Sequence, residues 1–456
     1  MKKVAFHTLG CKLNFSETSS VGRQFIERGF QVVDSDQPSD VVVLNTCSVT
    51  SRAETECRQI LRRALRISPE AFVVVTGCYA QLRPGEIAAI DGVDLVLGTR
   101  EKFDIFRHAG NFSKKPTSQV YVSCIDETPE FTSSYSSDVG GRTRAFLKVQ
   151  DGCDYSCSFC TIPRARGNSR SIPVAELLRQ AEQIIALGHR EIVLTGVNVG
   201  DYGSRIGSDL AGLLTEMERV RGLDRLRVSS IEPNLLSPAL VDVMTRSPVI
   251  CRHFHVPLQS GSDTILRRMR RRYVSGYYRE MVESIRRRDP GAAIGADVIV
   301  GFPGETDRLF RETFDFLSGL PLSYLHVFTY SPRPGTPAAG YPGAVEPRVR
   351  FGRNEILREL GLRKRREFAA SFVGRTLPVL FESGLHNGRA GGLTGNYIRV
   401  EAPGGRALVN QLHPVRIVQF DGETCLGEIV PGDVARHSGY LPDASIHSSG
   451  YTQPCT

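Results

Sequence analysis

The sequence of 456 residues has no apolar run long enough to cross a membrane as a helix. Its opening residues, MKKVAFHTLGCKLN, include basic side chains but lack the apolar core of a signal peptide. These two absences predict a cytoplasmic protein with no membrane partner. The 11 cysteines also lack the even number and dense spacing of a disulfide framework. They are therefore candidates for metal ligands in a reducing compartment.

The net charge is only mildly positive, at +8 with an isoelectric point of about 8.9. Many enzymes are equally basic, so the total charge alone leaves the partner open. Arginines cluster, however, in LRRMRRRY (266–273), IRRRD (285–289) and LRKRREF (362–368). One such cluster is as consistent with a solvated helix face as with a binding surface. Three clusters in one chain favour a nucleic-acid partner.

Residues 1–112 alternate between short apolar runs and amphipathic stretches, which predicts a small open parallel α/β sheet. The predicted strands are KVAFHTLG, DVVVLNTC, AFVVVTGC and VDLVLGT. Ligands of such sheets bind beyond the carboxyl ends of the strands. Cys11, Cys47 and Cys78 each follow an apolar run and are expected at that edge. A Ser-, Thr- and Gly-rich passage, 111–141, is typical of a linker.

A second α/β pattern, assigned to 139–370, contains six predicted strands separated by helical stretches. The six strand candidates are RAFLKVQDGC, REIVLTGVN, DRLRVSSIEP, RHFHVPLQSG, GADVIVGFPG and SYLHVFTYSP. Repeated βα units predict a partial (β/α)6 barrel of the TIM type, with its chemistry at the carboxyl ends of the strands. This part ends in a basic helix, 348–370. Residues 372–437 then have the pattern and size of a small all-β, OB-like barrel.

Three cysteines lie close together in DGCDYSCSFC, residues 151–160, at Cys153, Cys157 and Cys160. A cubane iron–sulfur cluster ordinarily takes four thiolates, but the next cysteine along the chain is Cys251. Three structural thiols or a zinc site are alternatives, although zinc prefers four ligands in paired units and no second pair follows. The spacing therefore favours a cluster with one iron left open for a chelating ligand.

This motif, including Phe159 before the last cysteine, resembles that of the radical S-adenosylmethionine (SAM) superfamily. The resemblance implies that the amine and carboxylate of SAM bind the fourth iron, and that an electron from the cluster then releases a 5′-deoxyadenosyl radical. It also implies that Arg170 pairs with the SAM carboxylate and that Gly301 lets the backbone approach the adenine. The candidate SAM-binding residues are Thr195, Gly196, Asn198, Ser230, Glu232, Arg170 and Gly301.

A buried cysteine is often no more than a small apolar side chain, but three at one sheet edge suggest a second cluster site. With TLGCKLN, LNTCSVT and VTGCYA supplying Cys11, Cys47 and Cys78, the chain resembles the radical SAM methylthiotransferase family over nearly its whole length. The shared motifs include ARGNSRS, HVPLQSGSD, GFPGETD and YSPRPGTPAA. The resemblance implies two [4Fe–4S] clusters, SAM as a cofactor, and a C-terminal RNA-binding domain like the TRAM module.

The family resemblance also implies the reaction. One SAM methylates a sulfur carried by the N-terminal cluster, and a second SAM supplies the radical that takes hydrogen from an unreactive carbon, where the methylthio group is joined. TLGCKLNFSET resembles the branch that acts on carbon 2 of N6-threonylcarbamoyladenosine next to a tRNA anticodon. The expected partners are the anticodon stem-loop of tRNA, with bases extruded towards the clusters, and an electron donor and a sulfur source.

Two alternatives stay open on the sequence alone. The first is a methylthiotransferase for isopentenyladenosine in tRNA or for an aspartate of a ribosomal protein, although the C-terminal β domain is near charge balance and the ribosomal branch uses an acidic one. The second, of another class, is a non-catalytic RNA-binding iron–sulfur protein. The remaining cysteines, Cys57 among them, are expected to be packing or exposed thiols.

Overall fold

The computed structural model describes residues 1–48, 51–125, 131–136, 143–386 and 388–432. Parallel α/β sheets and a small closed β-barrel make up the fold, which confirms the predicted fold class. Among the described residues, none of the helices combines the length and apolarity needed to cross a membrane. The tail beyond residue 432, with Cys455, lies outside the described residues.

Six parallel strands form the N-terminal sheet, in the order β2-β1-β3-β4-β5-β6. The strands are β1 (Lys3–Thr8), β2 (Gln31–Val33), β3 (Val41–Thr46), β4 (Phe72–Gly77), β5 (Leu95–Leu97) and β6 (Gln119–Tyr121). The helices are α1 (Lys12–Glu27), α2 (Ser51–Ile67), α3 (Cys78–Leu82), α4 (Pro84–Ala88) and α5 (Ile105–Ala109). Alternate residues of β3 join different apolar clusters, Val42 and Leu44 on one face and Val41 and Val43 on the other. Both faces of the sheet are therefore covered, as parallel sheets require.

The stretch predicted to be a linker, 111–141, contributes to this sheet. Its residues Gln119–Tyr121 form β6, which pairs in parallel with β5. Tyr135 also forms a bridge with Leu147 of the next unit. β6 has three residues, all at least partly exposed, so backbone hydrogen bonds rather than an apolar pattern hold it in place. Residues 126–130 and 137–142 of this stretch lie outside the described residues.

The second unit contains the six predicted parallel strands, which confirms the partial barrel. Its strands are β7 (Arg144–Lys148), β8 (Gln150–Asp151), β9 (Arg170–Ser171), β10 (Glu191–Thr195), β11 (Arg225–Val228), β12 (His253–His255), β13 (Ala293–Val300) and β14 (Tyr324–Thr329). β7, β10 and β11 form one three-stranded sheet and β12, β13 and β14 another. Single bridges, Leu226 to Ile250 and Ser230 to His255, connect the two sheets. The curved wall of six strands thus follows the chain order in space.

Helices cover the outside of this wall. They are α7 (Val174–Ala186), α8 (Leu210–Glu218), α9 (Pro238–Arg246), α10 (Asp263–Arg268), α11 (Ser275–Arg288), α12 (Asp307–Ser318) and α13 (Pro347–Ala370). The short helix α6 (Ile162–Arg166) packs instead against α3 of the N-terminal unit. Alternate strand residues such as Leu226 and Val228 join the apolar core with the helices. Because side chains alternate along a strand, Arg225 and Arg227 project to the inner side. The inner side of the wall is therefore strongly polar.

The C-terminal domain is a closed five-stranded barrel of order β15-β16-β17-β19-β18. Its strands are β15 (Thr376–His386), β16 (Arg389–Thr394), β17 (Arg399–Pro403), β18 (Leu412–Phe420) and β19 (Cys425–Ile429). The turn after β16 packs against the amino-terminal end of the partial barrel. Arg225 and Arg227 donate to the carbonyl oxygens of Leu393 and Gly395, both at 2.8 Å. The Arg227 guanidinium also lies 4.0 Å from the centre of the Tyr397 ring.

This contact depends on a buried ionic group. Glu191 and Arg227 are 0% exposed, and the Glu191 carboxylate lies 2.7 Å from Arg227 Nε and 3.0 Å from Arg225 Nε. Burial alone would raise the pKa of Glu191, but the two arginine charges lower this pKa to about 2. The carboxylate is therefore ionised at neutral pH and neutralises arginines that have little access to water.

Glu191→Gln should destabilise the protein by about 3–5 kcal/mol, because it leaves two buried arginines without their anion. The thermal unfolding midpoint, followed by circular dichroism, measures the effect. The matched control is Glu216→Gln, which removes an exposed pair with Arg219 and should cost less than about 1 kcal/mol. Equal midpoints for the two variants would contradict this account.

Candidate active site

Three cysteines of the N-terminal sheet lie at one edge, as predicted. Cys11 follows β1 and precedes α1, Cys47 follows β3, and Cys78 is the first residue of α3 after β4. β1, β3 and β4 are neighbours and run in the same direction. Their carboxyl ends therefore bring the three cysteine loops together. We refer to Cys11, Cys47 and Cys78 as the N-terminal trio.

Two glycines show how closely these loops approach each other. Gly10 has φ +96°, and a Cβ added there would lie 2.7 Å from Cys47 Cβ and 2.9 Å from Cys47 Sγ. Gly77 has φ +98°, and a Cβ added there would lie 2.4 Å from the Thr46 carbonyl oxygen. Only glycine fits such positions without displacing a neighbouring cysteine loop. The close packing places the Cys11 and Cys47 loops in direct contact and supports a shared ligand-binding role for the trio.

The second set, Cys153, Cys157 and Cys160, lies in the loop between β8 and α6; we call it the core trio. The loop folds back on itself, since the Cys160 N–H donates to the Cys157 carbonyl at 3.1 Å. The Ile162 N–H then points at Cys160 Sγ from 3.4 Å, as a backbone donor to a thiolate would. Burial raises the pKa of Cys153 to about 11 and that of Cys160 to about 12. Metal binding would therefore have to displace protons from these thiols.

Arg271 is a site residue that the sequence analysis missed. Its side chain is 3% exposed; it donates to Cys157 Sγ at 3.2 Å and forms an ion pair with Glu232. Burial raises the pKa of Glu232, and the Arg271 charge opposes this rise. The residue belongs to LRRMRRRY, which the sequence analysis left open between a solvated helix face and a nucleic-acid-binding surface, both of them exposed. The signal that could have found it is its neighbour, the buried apolar Met269, whose carbonyl accepts from the Ser158 N–H within the core-trio loop at 3.1 Å.

Two other arginines of the three clusters donate hydrogen bonds to backbone carbonyls of the partial barrel. Arg268 donates to the carbonyls of Pro303 and Pro342, and Arg286 to those of Pro290 and Ala292. Arg287 and Arg363 remain well exposed, with 70% and 61% of their side chains accessible. Basic clusters in this chain thus combine structural and surface roles.

Thr195, Gly196 and Asn198 lie where the sequence placed them, at and beyond the carboxyl end of β10. A Cβ added to Gly196 would lie 2.9 Å from the Gln150 carbonyl oxygen, so this turn is packed tightly against β8. The Asn198 N–H donates to Gln150 Oε1 at 2.8 Å. The Asn198 side chain is 3% exposed, yet its Oδ1 and Nδ2 have no hydrogen-bond partner among the described residues. Buried amides are normally hydrogen-bonded, so the Asn198 side chain is placed to bind a polar ligand, and the amine and carboxylate of SAM fit that requirement.

The remaining candidates for SAM binding have protein partners. Ser230 Oγ lies 2.6 Å from His255 Nδ1. Arg170 donates to the Arg166 carbonyl at 2.8 Å and lies 3.6 Å from Asp151, so its guanidinium contacts α6 and β8 of its own unit. At Gly301, with φ +72°, the close neighbour is the Arg350 side chain, 2.0 Å from an added Cβ. The SAM contacts of all seven candidate residues stay predictions.

The inner wall of the partial barrel carries a polar group that the sequence analysis did not single out. His255 on β12 and His326 on β14 both contact Asp297 Oδ1 on β13, at 2.9 and 3.1 Å. Although burial opposes ionisation, the hydrogen bonds from the two histidines hold the pKa of Asp297 below its usual value. His326 is half exposed, so the group opens to the inside of the barrel. We call His255, Asp297 and His326 the wall group.

The comparisons with known proteins agree with this geometry. Residues 3–98 match the model described as "Uncharacterized protein family UPF0004" and residues 147–317 that of the Radical SAM superfamily. The threonylcarbamoyladenosine tRNA methylthiotransferase MtaB of Bacillus subtilis is 39% identical, over 92% of this chain and 94% of the relative. MtaB of Aquifex aeolicus is 38% identical, over 88% of this chain and 97% of the relative. The chain belongs to the radical SAM methylthiotransferase family.

Another branch of the family is also similar. A tRNA-2-methylthio-N(6)-dimethylallyladenosine synthase of Methylobacillus flagellatus is 33% identical, over 94% of this chain and 99% of the relative. Among solved structures, the radical SAM methyltransferase TsrM from Kitasatospora setae, with cobalamin and a [4Fe–4S] cluster bound, has a TM-score of 0.56 at 17% identity. That alignment covers 74% of this chain and 77% of TsrM. This alignment shows that the chain and TsrM share a fold.

Membership of this family makes the chain an enzyme of the MtaB type, with SAM and [4Fe–4S] clusters as its cofactors. The non-catalytic alternative is thereby excluded. The residues present fit these groups, because thiolates are the ligands that iron–sulfur clusters take, because Arg271 already donates to a core-trio sulfur, and because the buried Asn198 amide needs a ligand. The other described cysteines are buried at positions 57, 251 and 425 and exposed at position 124.

The roles of the two trios can be tested separately, because each trio is expected to hold one cluster. Cys153→Ala should lose about four of about eight irons per chain and stop 5′-deoxyadenosine formation. Cys47→Ala should lose a similar amount of iron but continue to cleave SAM, while sulfur transfer stops. Iron and sulfide analysis with chromatography of the SAM products measures both, and the exposed Cys124→Ala is the control. Normal SAM cleavage by the first variant, or full sulfur transfer by the second, would remove that cysteine from its site.

Proposed function

We propose that this enzyme methylthiolates carbon 2 of N6-threonylcarbamoyladenosine next to the anticodon of tRNA. Relatives named for this substrate include the Bacillus subtilis, Aquifex aeolicus and Thermotoga maritima proteins, at 39%, 38% and 35% identity. Their names support tRNA as the substrate of this chain. The anticodon stem-loop, an electron donor and a sulfur source are the partners that the reaction requires.

The structural observation that supports the choice of adenosine is the polar wall group, in which His255 begins the shared motif HVPLQSGSD while Asp297 and His326 lie outside the shared motifs. A threonylcarbamoyl substituent has a carboxylate, a hydroxyl and two amide N–H groups, all of which can bond to imidazole or carboxylate side chains. An isopentenyl substituent is apolar, so its burial against His255, Asp297 and His326 would cost these groups their hydrogen bonds to water. Ser230, bonded to His255, stands two residues before Glu232, whose ion-pair partner Arg271 donates to Cys157 Sγ. The N6 substituent of the adenosine would thus be recognised by side chains close to the core trio.

The two trios would hold the [4Fe–4S] clusters, and SAM bound at the core trio supplies the radical that removes hydrogen from the adenine carbon. The chain itself orients and shields the reactants. Arg271 places a positive charge beside Cys157, and the Asn198 amide offers a donor and an acceptor to SAM. The C-terminal barrel and exposed arginines such as Arg287 would contact tRNA phosphates.

A second candidate substrate is isopentenyladenosine, which is supported by the relatives named dimethylallyladenosine synthases at 32–34% identity. The deciding experiment gives anaerobically reconstituted enzyme two tRNAs in parallel, one with N6-threonylcarbamoyladenosine and one with isopentenyladenosine. Nucleoside mass spectrometry should find the 2-methylthio product in the first tRNA alone. An unchanged first tRNA with a modified second one would transfer the assignment to isopentenyladenosine.

The wall group predicts a specificity change. His326→Leu should lower kcat/KM for the threonylcarbamoyl tRNA by about 10- to 100-fold, because it removes a hydrogen bond of about 1–3 kcal/mol from the substrate complex. SAM cleavage without tRNA should be unchanged, since His326 is outside the core trio. The matched control is His108→Leu on α5, a histidine that packs against Tyr121 of the N-terminal sheet. A His326→Leu enzyme with an undiminished kcat/KM would show that the wall group does not read the substituent.

A further inference from the structure

A buried ionic network joins the N-terminal unit to the partial barrel, between the two trios. Its five side chains are at most 4% exposed. The members are Glu17 on α1, Lys102 near the end of β5, Lys148 on β7, Asp151 on β8 and Arg166 on α6. The sequence analysis singled out none of these residues.

Arg166 pairs with both carboxylates of the network. Its Nη1 lies 2.9 Å from Glu17 Oε1 and its Nη2 3.1 Å from Glu17 Oε2, a two-point pairing of guanidinium and carboxylate. Nη1 also donates to Asp151 Oδ1 at 3.0 Å, and Nη2 to Asn14 Oδ1 at 2.6 Å. One planar side chain from the barrel therefore contacts three residues in two units.

Asn14 extends this contact to the N-terminal trio. Its Nδ2 donates to the carbonyls of Leu9 and Thr46, at 2.7 and 3.1 Å, and these residues stand just before the Cys11 and Cys47 loops. Cys11 Sγ lies 4.0 Å from the same Asn14 Oδ1 that Arg166 contacts. A single amide thus connects Arg166 to two of the three cysteine loops.

Asp151 extends the contact to the core trio. It stands two residues before Cys153, and its Oδ1 accepts both from Arg166 and from the Gly152 N–H, at 3.0 and 2.9 Å. The Gly167 carbonyl, next to Arg166, accepts from the Cys153 N–H at 3.0 Å. Arg166 therefore contacts the loops of both trios through one intermediate side chain each, Asn14 for the N-terminal trio and Asp151 for the core trio.

The network is also rich in positive charge. When all five groups are ionised, three cations face two carboxylates, so one positive charge is in excess. Arg166 lies close to the N-terminal trio, because Asn14 Oδ1 is 2.6 Å from Arg166 Nη2 and 4.0 Å from Cys11 Sγ. Thiolates at the N-terminal trio would balance the excess charge.

We propose that Arg166 is a positioning residue that holds the two trios at a fixed separation and keeps a positive charge beside the cluster site of the N-terminal trio. This role rests on the proposed function, in which a carbon activated at one site accepts sulfur held at the other. A change in their separation would let the radical form without sulfur transfer, and a loss of the charge would make the N-terminal cluster harder to reduce, because net charge sets cluster potentials.

Two substitutions separate the two effects. Arg166→Gln should shift the midpoint potential of the N-terminal cluster to more negative values, and should lower the ratio of methylthiolated tRNA to 5′-deoxyadenosine at least tenfold. Arg166→Lys keeps the charge but loses the two-point pairing, so its potential should stay near that of the parent while the ratio still falls. Redox titration followed by electron paramagnetic resonance, in the Cys153→Ala background that retains the N-terminal trio, measures the potential.

Arg164→Gln is the matched control, since Arg164 is an exposed arginine on the same short helix and should change neither quantity. If Arg166→Gln does not fold with normal iron content, the double variant E17Q/R166Q, which restores one excess positive charge, replaces it and should still show the low product ratio. A parental product ratio in the folded variant, or a parental potential in Arg166→Gln, would overturn the proposal. The potential is measured without tRNA, so it tests Arg166 even if the tRNA assigned above proves wrong.

Discussion

Charged side chains buried between the two α/β units constrain the whole arrangement. Glu17, Asp151 and their three cationic partners have almost no access to water. Glu17 of the N-terminal unit pairs with Lys148 and Arg166 of the partial barrel, so charges of one unit are compensated by the other. Separation of the units, or a slip of one against the other, would leave buried charges uncompensated at a cost of several kcal/mol. The buried ion pairs therefore help to hold the two units together. Because each ion pair requires a defined geometry, they also fix the orientation of one unit relative to the other.

Because the barrel strands are parallel, the cysteine loops lie at one end of the barrel and the contact with the C-terminal domain lies at the other. Both cysteine trios follow the carboxyl ends of strands, where open α/β sheets and barrels place their ligands. The amino-terminal ends meet the C-terminal barrel, through the arginines that pair with Glu191. The polar wall group lies between these ends on the inner side. A substrate base that enters the open barrel would thus meet polar side chains on its way to the trios.

Much of this architecture could be predicted from residue patterns. The apolar runs before Cys11, Cys47 and Cys78 predicted both the sheet and the meeting of the three cysteines, because parallel neighbours end at one edge. The short strand β6 escaped prediction since its exposed residues carry no apolar periodicity. Arg271 was not recognised as a site residue, because a sequence shows that an arginine is present but not which carboxylate or thiol lies beside it.

By itself, the sequence determined the local elements, the two cysteine trios and the family, since each depends on residues within a short span or on spacing along the chain. Only the tertiary structure decided which side chains from distant spans share a site. Arg166 and Glu17 are 149 residues apart in sequence, and Asp297 and His326 lie on different strands. The physical reason is that electrostatic partners are chosen by distance in space after the strands have aligned, and residue order carries no record of that distance.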